Sequence, residues 1–347
     1  MPKAEDPNIF DRQKFLLIPM SKIVDWDSRI GRRLRLRDLH VFFTVVQTGS
    51  LAKAAATLHV SQPAVSQLII DLEHAVGARL FDRGPRGVTP TIYGRALLAR
   101  GQSAFDELRQ GLQEIEFLAD PTAGEMKVGC QEAIAAILAP VIEGYAQRYP
   151  GVVLDIYEEE FDRYAARLRN RSLDFVLQRL RDPIRPDDSF FDDLNVELLF
   201  NDRMVIAAGM RSPWGRRRKI ELAELIDEPW ILSPPDTTNY RVIMGAFRAQ
   251  GLAVPRIGLK TLSTHLRANL VGSGKFIAPF PNTVFSFYAE RFALRALPVA
   301  LPIWPWPVVI LTLKNRTLSP VVQSFLGHLR NFFASSTREG ERRKRGT

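Results

Sequence analysis

The sequence predicts a chain of several domains, in which a small helical domain precedes one long helix and a larger α/β domain. Apolar residues recur at helical spacing from residue 34 to about residue 91. No proline interrupts residues 91–119, and strand-like and helix-like segments alternate after residue 124. The 347 residues suffice for two or three domains, and the 46% hydrophobic content allows real cores.

The composition changes along the chain divide it into segments. Glycines and prolines interrupt the periodic stretches, and residues 120–124 form a break of Asp, Pro, Thr, Ala and Gly. The segments that we expect are a poorly ordered extension at 1–33, the helical domain at 34–90, a linker helix at 91–120, the α/β domain at 124–332 (subdomain I about 124–200 and 300–332, subdomain II about 201–299) and a basic tail at 333–347.

Positive charge is concentrated in one part of the chain. The formal net charge is +9, yet residues 29–100 alone hold eleven basic and four acidic side chains. The last eleven residues hold five basic and two acidic ones, so the remainder is close to neutral. Such a concentration is typical of a module that binds nucleic acid.

The single cysteine, Cys130, excludes an intramolecular disulfide and argues against a cysteine-based metal site. No metal or cofactor is expected. The early apolar run at residues 15–18 is ended by Pro19, so it is too short for the core of a signal peptide. No stretch approaches the ~20 apolar residues of a membrane span. We therefore expect a cytoplasmic protein without a membrane partner.

Residues 51–73 carry the most informative pattern. Ser50 is placed to cap a first helix, whose alanines allow a second helix to cross it closely. After a turn at His59 and Val60, Ser61 is placed to cap that second helix, with Pro63 in its first turn. The apolar side chains of the second helix share its inner face, which leaves four polar ones facing outward near its start: Ser61, Gln62, Ser66 and Gln67.

Residues 78–90 then predict two short strands around a glycine-rich tip, which is the wing of a winged helix-turn-helix. Short hydroxyl and amide side chains at the start of a recognition helix can reach base edges in the major groove. The arginines of the wing, Arg79, Arg83 and Arg86, are placed to contact phosphates beside the groove.

At these residues the chain resembles the LysR-type transcriptional regulators. The resemblance is dense over about sixty residues and extends more weakly over the rest of the chain. The matching text comprises Leu39 to Phe43, Gly49-Ser50, Ala54-Ala55, Leu58, Val60 to Ala64, Ser66, Leu72-Glu73, Gly77, Arg79 to Arg83, Thr89-Pro90 and Gly94.

The resemblance implies a dimeric or tetrameric regulator with a winged helix-turn-helix, a dimerising linker helix and a two-subdomain effector domain of the periplasmic-binding-protein type 2 fold. Its expected partners are double-stranded DNA, a small-molecule effector, further copies of the chain and RNA polymerase. The residues expected to bind DNA are Ser61, Gln62, Pro63, Ser66, Gln67, Arg79, Arg83 and Arg86.

A heptad-like seam runs along the predicted linker helix. Apolar or small residues fall at steps of three and four, with Gly101 and Gly111 among them. The alternative is that this face packs on its own subunit, but a lone helix between two domains has little of its own chain to cover it. The residues expected at a dimer interface are Leu97, Ala104, Leu108, Ile115 and Leu118.

The effector is expected where strands of the α/β domain end, because ligands of such sheets bind at the carboxyl ends of the strands. Four loops qualify: those after residues 129, 178 and 232, and one around the helix that precedes residue 276. The candidate effector-binding residues are Cys130, Gln131, Arg179, Ser233, Thr237, Thr238, Ser263, Thr264 and Ser273.

The first of these loops departs from the family pattern, in which Ser or Thr often follows the first strand. Here Glu132 would repel an anion, although Arg179 could compensate, so a sugar competes with an organic acid as effector. Cys130 could sense oxidants, but a buried thiol is the better interpretation.

Two other classes of function are open. The α/β part also resembles solute-binding proteins, against which the missing signal peptide and the N-terminal module argue. An enzyme would use the cleft that these loops are expected to line between the two subdomains, but no phosphate loop, metal-binding cluster or nucleophile elbow is present in the sequence. We therefore predict a non-enzymatic regulator.

Overall fold

The computed structural model describes residues 34–84, 87–158, 161–180, 189–235, 237–301 and 306–345. The extension expected at residues 1–33 lies outside the described part. The chain forms two compact units that divide between Ala104 and Phe105, inside the long helix. The division therefore does not fall at either end of the predicted linker.

The first unit is a three-helix module with a two-stranded wing. Its elements are α1 (Leu36–Thr48), α2 (Leu51–Thr57), α3 (Gln62–Val76), β1 (Phe81–Gly84), β2 (Gly87–Pro90) and the start of α4 (Ile92–Ala119). β1 and β2 pair antiparallel. The three helices enclose a core of fully buried aromatic, aliphatic and small side chains, which include Phe42, Val45, Ala54, Val65, Ile69 and Leu72. The predicted winged helix-turn-helix is confirmed.

Local signals set the boundaries of these helices. The hydroxyl of Ser50 accepts a hydrogen bond from the Lys53 amide at 3.4 Å and caps α2. Gly49 and Gly77 end α1 and α3 with φ of 64° and 73°, the left-handed conformation that glycine adopts without strain. The turn between α2 and α3 is held by His59, whose φ is also positive, at 54°.

The first half of α4 packs on the first unit. Leu97, which the sequence predicts at a dimer interface, is half-buried against the core of its own helical module. A Cβ added to Gly101 would lie 2.8 Å from the Phe43 ring, so this glycine permits close packing on α1 of the same chain. The apolar residues in the first half of α4 therefore pack on the helical module of the same chain.

The second unit contains two five-stranded sheets. The strands of the first are β3 (Ala123–Cys130), β4 (Gly151–Tyr157), β5 (Phe175–Arg179), β6 (Leu194–Asp202) and β12 (Trp306–Leu313). Their order in the sheet is β4-β3-β5-β12-β6, in which β3, β4 and β5 are parallel and β12 is antiparallel to both of its neighbours. Two helices connect its parallel strands, α5 (Glu132–Arg148) and α6 (Phe161–Arg169).

The strands of the second sheet are β7 (Met204–Gly209), β8 (Trp230–Leu232), β9 (Ile257–Lys260), β10 (Ile277–Pro281) and β11 (Leu294–Ala296). Their order is β11-β7-β10-β8-β9, with β8, β9 and β10 parallel and β7 antiparallel to β10 and β11. Its helices are α7 (Thr238–Ala249), α8 (Thr264–Gly272) and α9 (Asn282–Ala289). The chain passes from β6 of the first sheet to β7 of the second at residue 203.

The final helix, α10 (Pro320–Arg345), packs its first half on the first sheet through residues such as Phe325 and Leu329. Within the segment predicted as a basic tail, residues 333–345 continue this helix. No helix among the described residues is both long enough and apolar enough to cross a membrane.

Gln110 on α4 is buried, and neither its amide nitrogen nor its amide oxygen has a hydrogen-bond partner among the described residues. An unsatisfied buried polar group costs about 1–3 kcal/mol. We expect Gln110→Met to raise the melting temperature by about 2–4 °C, which corresponds to roughly 1 kcal/mol in a unit of this size. Calorimetry of this variant beside Gln113→Met, which changes a half-buried position on the same helix, checks the result. A lower melting temperature for Gln110→Met alone would contradict it.

Candidate DNA-binding surface and effector cleft

The start of α3 presents polar side chains to solvent. Gln62 and Pro63 are exposed in its first turn, while Val65 is fully buried on the opposite face. The hydroxyl of Ser61 accepts a hydrogen bond from the Ala64 amide at 3.3 Å and keeps its own proton for another acceptor. Ser66 is half-buried one turn later. The structure thus brings the predicted groove-facing residues together at one end of one helix.

Gln67 differs from its neighbours because its amide is already engaged. Its Nε2 donates to Asp71 Oδ1 at 2.8 Å, one turn along the helix. Oε1 and the second N–H of the amide remain for a base, but the bond to Asp71 holds the amide along its own helix. We therefore rank Gln67 below Gln62 as a base-reading residue.

The wing is fixed to the helical module by main-chain contacts. Glu73 Oε1 on α3 accepts hydrogen bonds from the amides of Leu80 at 2.7 Å and Phe81 at 3.2 Å. The Val88 amide donates to the Gly49 carbonyl oxygen at 3.0 Å, and a Cβ on Gly87 would lie 2.3 Å from that oxygen. These contacts hold both wing strands against α3 and the turn before α2.

The wing also supplies exposed cations. Arg79 and Arg83 are exposed at the start of the wing and on β1. Both side chains are free to reach phosphates of a duplex bound at α3. The predicted contact of Arg86 lies outside the described residues.

In the second unit, the carboxyl end of the first sheet carries a buried ion pair. Arg179 ends β5 and donates from Nη2 to Asp202 Oδ2 at 2.9 Å, with both side chains almost completely buried. Burial lowers the pKa of the Arg179 guanidinium, and the carboxylate of Asp202 opposes this effect. The sequence suggested that Arg179 could compensate the repulsion of an anionic ligand by Glu132. Because Asp202 neutralises Arg179, this arginine has no uncompensated charge to offer for that purpose.

Cys130 ends β3 with no exposed side-chain surface, and its carbonyl oxygen accepts a hydrogen bond from the Tyr164 hydroxyl. Burial, with a smaller contribution from the charge of Glu158, raises the pKa of the thiol to about 12. Gln131 caps α5 with its backbone only, so its half-buried amide remains available to a ligand.

In the second sheet, a buried arginine organises the predicted residues. Arg267 on α8 donates from Nη2 to Ser233 Oγ at 2.8 Å and to the Thr261 carbonyl oxygen at 3.0 Å, and from Nη1 to the Pro279 carbonyl oxygen at 3.2 Å. Ser233 therefore accepts from the guanidinium and directs its hydroxyl proton elsewhere. Thr264, at the start of the same helix, is also buried.

Three predicted hydroxyls have local structural tasks. Thr237 caps α7 through the Tyr240 amide at 3.3 Å and also donates to the Pro234 carbonyl oxygen, beside half-buried Thr238. Ser263 caps α8 through the Leu266 amide at 3.2 Å. Ser273 lies at the other end of α8, where its hydroxyl donates to the Leu270 carbonyl oxygen. The nine-residue helix separates Ser273 from Ser263, so the two do not form one site.

Three functional candidates escaped the sequence analysis: Asp202, Arg267 and Thr283. Thr283 donates its hydroxyl to Asp202 Oδ2 at 2.5 Å, across 81 residues of chain. No periodicity or motif signals such a contact. A cavity of about 480 Å³ beside α7 was missed as well, and its lining includes Tyr240, Arg241, Met244, Arg248 and Val254.

The second half of α4 presents an apolar stripe to solvent. Leu108, Leu112, Ile115 and Leu118 are 50–75% exposed and follow steps of four, three and three. Ala104 is exposed just before them. Exposed apolar residues in a continuous helical stripe mark a surface for association.

An exposed polar helix start beside a cationic wing, joined to a two-sheet domain, defines a DNA-binding regulator with a ligand-binding domain. The family model "Bacterial regulatory helix-turn-helix protein, lysR family" matches residues 36–95, and the model "LysR substrate binding domain" matches residues 119–334. The chain belongs to the LysR family of transcriptional regulators.

The similar proteins match this chain over most of its length and over most of their own. The transcriptional regulator GbpR of Azospirillum brasilense is 29% identical over 86% of both chains, and the dual regulator GltC of Bacillus subtilis is 25% identical over 87% of this chain and 98% of its own. The solved structure of full-length OxyR from Pseudomonas aeruginosa, with a cysteine substitution, has a TM-score of 0.58 at 21% identity and covers 86% of this chain and 94% of its own. This structural likeness shows the shared fold.

The environment of Cys130 predicts an unreactive thiol. Thiolates are the reactive species, and a pKa of about 12 leaves almost none at neutral pH. We expect iodoacetamide to alkylate Cys130 in the native chain at least about a hundredfold more slowly than in the chain unfolded in urea. Mass spectrometry of timed samples at pH 8 measures both rates. Equal rates would show that the thiol is accessible and would reopen a redox role.

Proposed function

We propose that this chain regulates transcription as a homodimer or homotetramer that binds two-fold related DNA half-sites. The observation that carries the proposal is the exposed polar start of α3, whose opposite face is buried in the core. In this arrangement Ser61, Gln62, Pro63, Ser66 and Gln67 enter the major groove. Arg79, Arg83 and Arg86 contact the flanking phosphates.

The stripe on α4 supports the oligomer. Four exposed apolar side chains at seam spacing are typical of a helix that pairs with a second copy. In the proposed interface Ala104, Leu108, Ile115 and Leu118 pack together with Leu112, whereas Leu97 remains in its own module. A cytoplasmic protein that acts at promoters in this way has RNA polymerase as its expected further partner.

We further propose that the effector is a small polar molecule that binds at the carboxyl ends of the two sheets and is not chemically changed. Cys130, Gln131, Arg179, Ser233, Thr264 and the start of α7 border this region. The Arg179–Asp202 pair has no net charge. The Cys130 thiol is uncharged, and the negative charge of Glu158 is close enough to raise its pKa. These groups favour a neutral ligand such as a sugar over an organic acid.

The DNA proposal predicts different effects for a base-reading and a phosphate-contacting residue. We expect Gln62→Ala to lose about 1–3 kcal/mol of discrimination at one base pair of each half-site, because the amide pairs with a base edge. Arg83→Gln should weaken binding to all duplexes alike and reduce the slope of log affinity against log salt by about 1. Fluorescence anisotropy with duplexes selected by the wild-type protein, across salt concentrations, measures both effects.

Thr57→Ala provides a control, because Thr57 is an exposed hydroxyl on α2 that bonds its own helix. Unchanged affinity and specificity for Gln62→Ala would remove this residue from the groove. Binding that does not depend on salt would argue against the whole assignment.

The effector proposal predicts ligand stabilisation without turnover. At a concentration of about a hundred times its dissociation constant, a ligand adds roughly 2.7 kcal/mol to the stability of the protein. We expect a neutral sugar, and not an organic acid, to raise the melting temperature of the full chain and to alter its footprint on DNA. Gln131→Ala should reduce this shift, while Gln323→Ala on α10 should leave it unchanged. Stabilisation by acids only would reverse the proposed ligand class, and conversion of the ligand would indicate an enzyme.

A further inference from the structure

A buried ionic cluster lies under the second half of α4. Asp106 projects from this helix with its side chain 2% exposed and accepts hydrogen bonds from three arginines. Arg171 Nη1 donates to Oδ2 at 2.5 Å, while Arg316 donates from Nε to Oδ2 at 2.8 Å and from Nη2 to Oδ1 at 3.1 Å. Arg109, one turn along the helix, is the third donor. A carboxylate with so many charged donors is held in one position.

The same cluster is tied to the first sheet of the effector domain. Arg316, whose side chain is fully buried, donates from Nη1 to the Leu173 carbonyl oxygen at 2.6 Å and from Nη2 to Asp174 Oδ1 at 2.9 Å. Asp174 Oδ2 accepts a hydrogen bond from the Lys127 amide of β3 at 2.8 Å. The carboxylate on α4 is therefore joined to β3 and to the loop that begins β5.

Asp106 is ionised in this setting. Burial raises the pKa of its carboxyl, but the hydrogen bonds and charge of Arg316, followed by the hydrogen bonds of Arg171 and Arg109, outweigh burial and hold the pKa below its usual value. Loss of the charge would leave buried Arg316 facing Asp174 alone and Arg171 without this carboxylate. Removing one member of a buried ion cluster therefore affects all of its members.

Two neighbouring strands, β5 and β12, run between this cluster and the Arg179–Asp202 pair, in which Arg179 ends β5 and Asp202 ends the next strand, β6. β5 begins next to Asp174 and ends at Arg179, and β12 begins at Trp306 and ends three residues before Arg316. Arg179 pairs with Val308 in the register, and Trp306 pairs with Asp202. β5 and β12 thus run side by side from one ionic site to the other.

We propose that Asp106 is the positioning residue through which the effector domain holds the linker helix, so that residues 105–119 follow the first sheet. The exposed stripe on this half of α4 is then presented by the effector domain. A change at the Arg179–Asp202 end reaches the helix along β5 and β12. This last step rests on the effector cleft proposed above, whereas the anchoring of the helix does not.

The anchoring is tested by hydrogen–deuterium exchange on the full chain without any ligand. We expect Asp106→Asn, which keeps the shape and removes the charge, to speed exchange in residues 105–119 at least tenfold while α1 to α3 remain unchanged. Glu107→Gln is the matched control, because it removes the same charge from the exposed neighbouring position. Exchange within twofold of the wild-type rate, or an equal response of Glu107→Gln, would overturn the proposal.

A DNA readout separates positioning from general stability. The probe is a duplex selected by the wild-type protein from a randomised pool. Asp106→Asn should keep its affinity for this duplex within threefold and change the extent or the enhanced-cleavage pattern of the DNase I footprint. An unchanged footprint beside increased exchange would show a structural role only and overturn the positioning role.

Two further variants cover the remaining outcomes. If Asp106→Asn does not fold, Arg171→Gln removes a partly exposed arm of the cluster and should speed exchange in residues 105–119 at least threefold. No change in that variant would contradict the anchoring. Asp202→Asn changes the other end of the strands and should speed exchange in the same residues at least threefold. Unchanged exchange in this variant would refute the transmission along β5 and β12 and leave the anchoring by Asp106 standing.

Discussion

The guanidinium of Arg316 has to be satisfied inside the protein, because no part of its side chain reaches water. It has five N–H groups, and its bonds to Asp106, Leu173 and Asp174 engage several of them at once. A long helix, a loop and a strand end must therefore converge on one planar group. The arrangement of the effector domain around the second half of α4 depends on this convergence.

The DNA-binding unit depends on a different constraint, which is the close approach of backbones. Glycine is needed where β2 passes the Gly49 carbonyl oxygen and where a Cβ on Gly94 would lie 2.2 Å from the Leu80 carbonyl oxygen. These approaches keep the wing and the start of α4 tight against the helices. The polar end of α3 is then presented on a rigid frame, which a surface that reads base edges requires.

Much of the fold could be predicted from local signals. Ser50, Ser61 and Gly77 mark helix boundaries by short-range hydrogen bonds or backbone conformation, so the sequence alone places the helices of the DNA-binding module. The alternation of strands and helices predicts the sheets for the same reason. Contacts between distant residues carry no such signal: Asp106 and Arg316 are 210 positions apart.

The candidate site shows the same division. The exposed end of α3 was predictable because one helix carries all of its residues. The effector region was not predictable from such local signals. The charge that Arg179 can offer to a ligand depends on its ion pair with Asp202. The sequence also does not show that Ser273 and Ser263 lie at opposite ends of α8 and therefore do not share one site. Leu97 followed the seam spacing, but spacing alone does not show whether a helix face is covered by its own chain.

Asp202 lies where the chain passes from the first sheet to the second, and it limits how the effector domain can open. Its two oxygens accept hydrogen bonds from Arg179 and the Arg203 amide, and from the amide and hydroxyl of Thr283 in α9. Separating the sheets at this point would leave a buried carboxylate without part of its donors, which is costly. An effector of the kind proposed above that had to part the sheets here would bind and leave slowly, because a binding step that needs a conformational change is slower than simple encounter. The hydrogen bonds of Asp202 would then limit the speed of the response as well as the strength of binding.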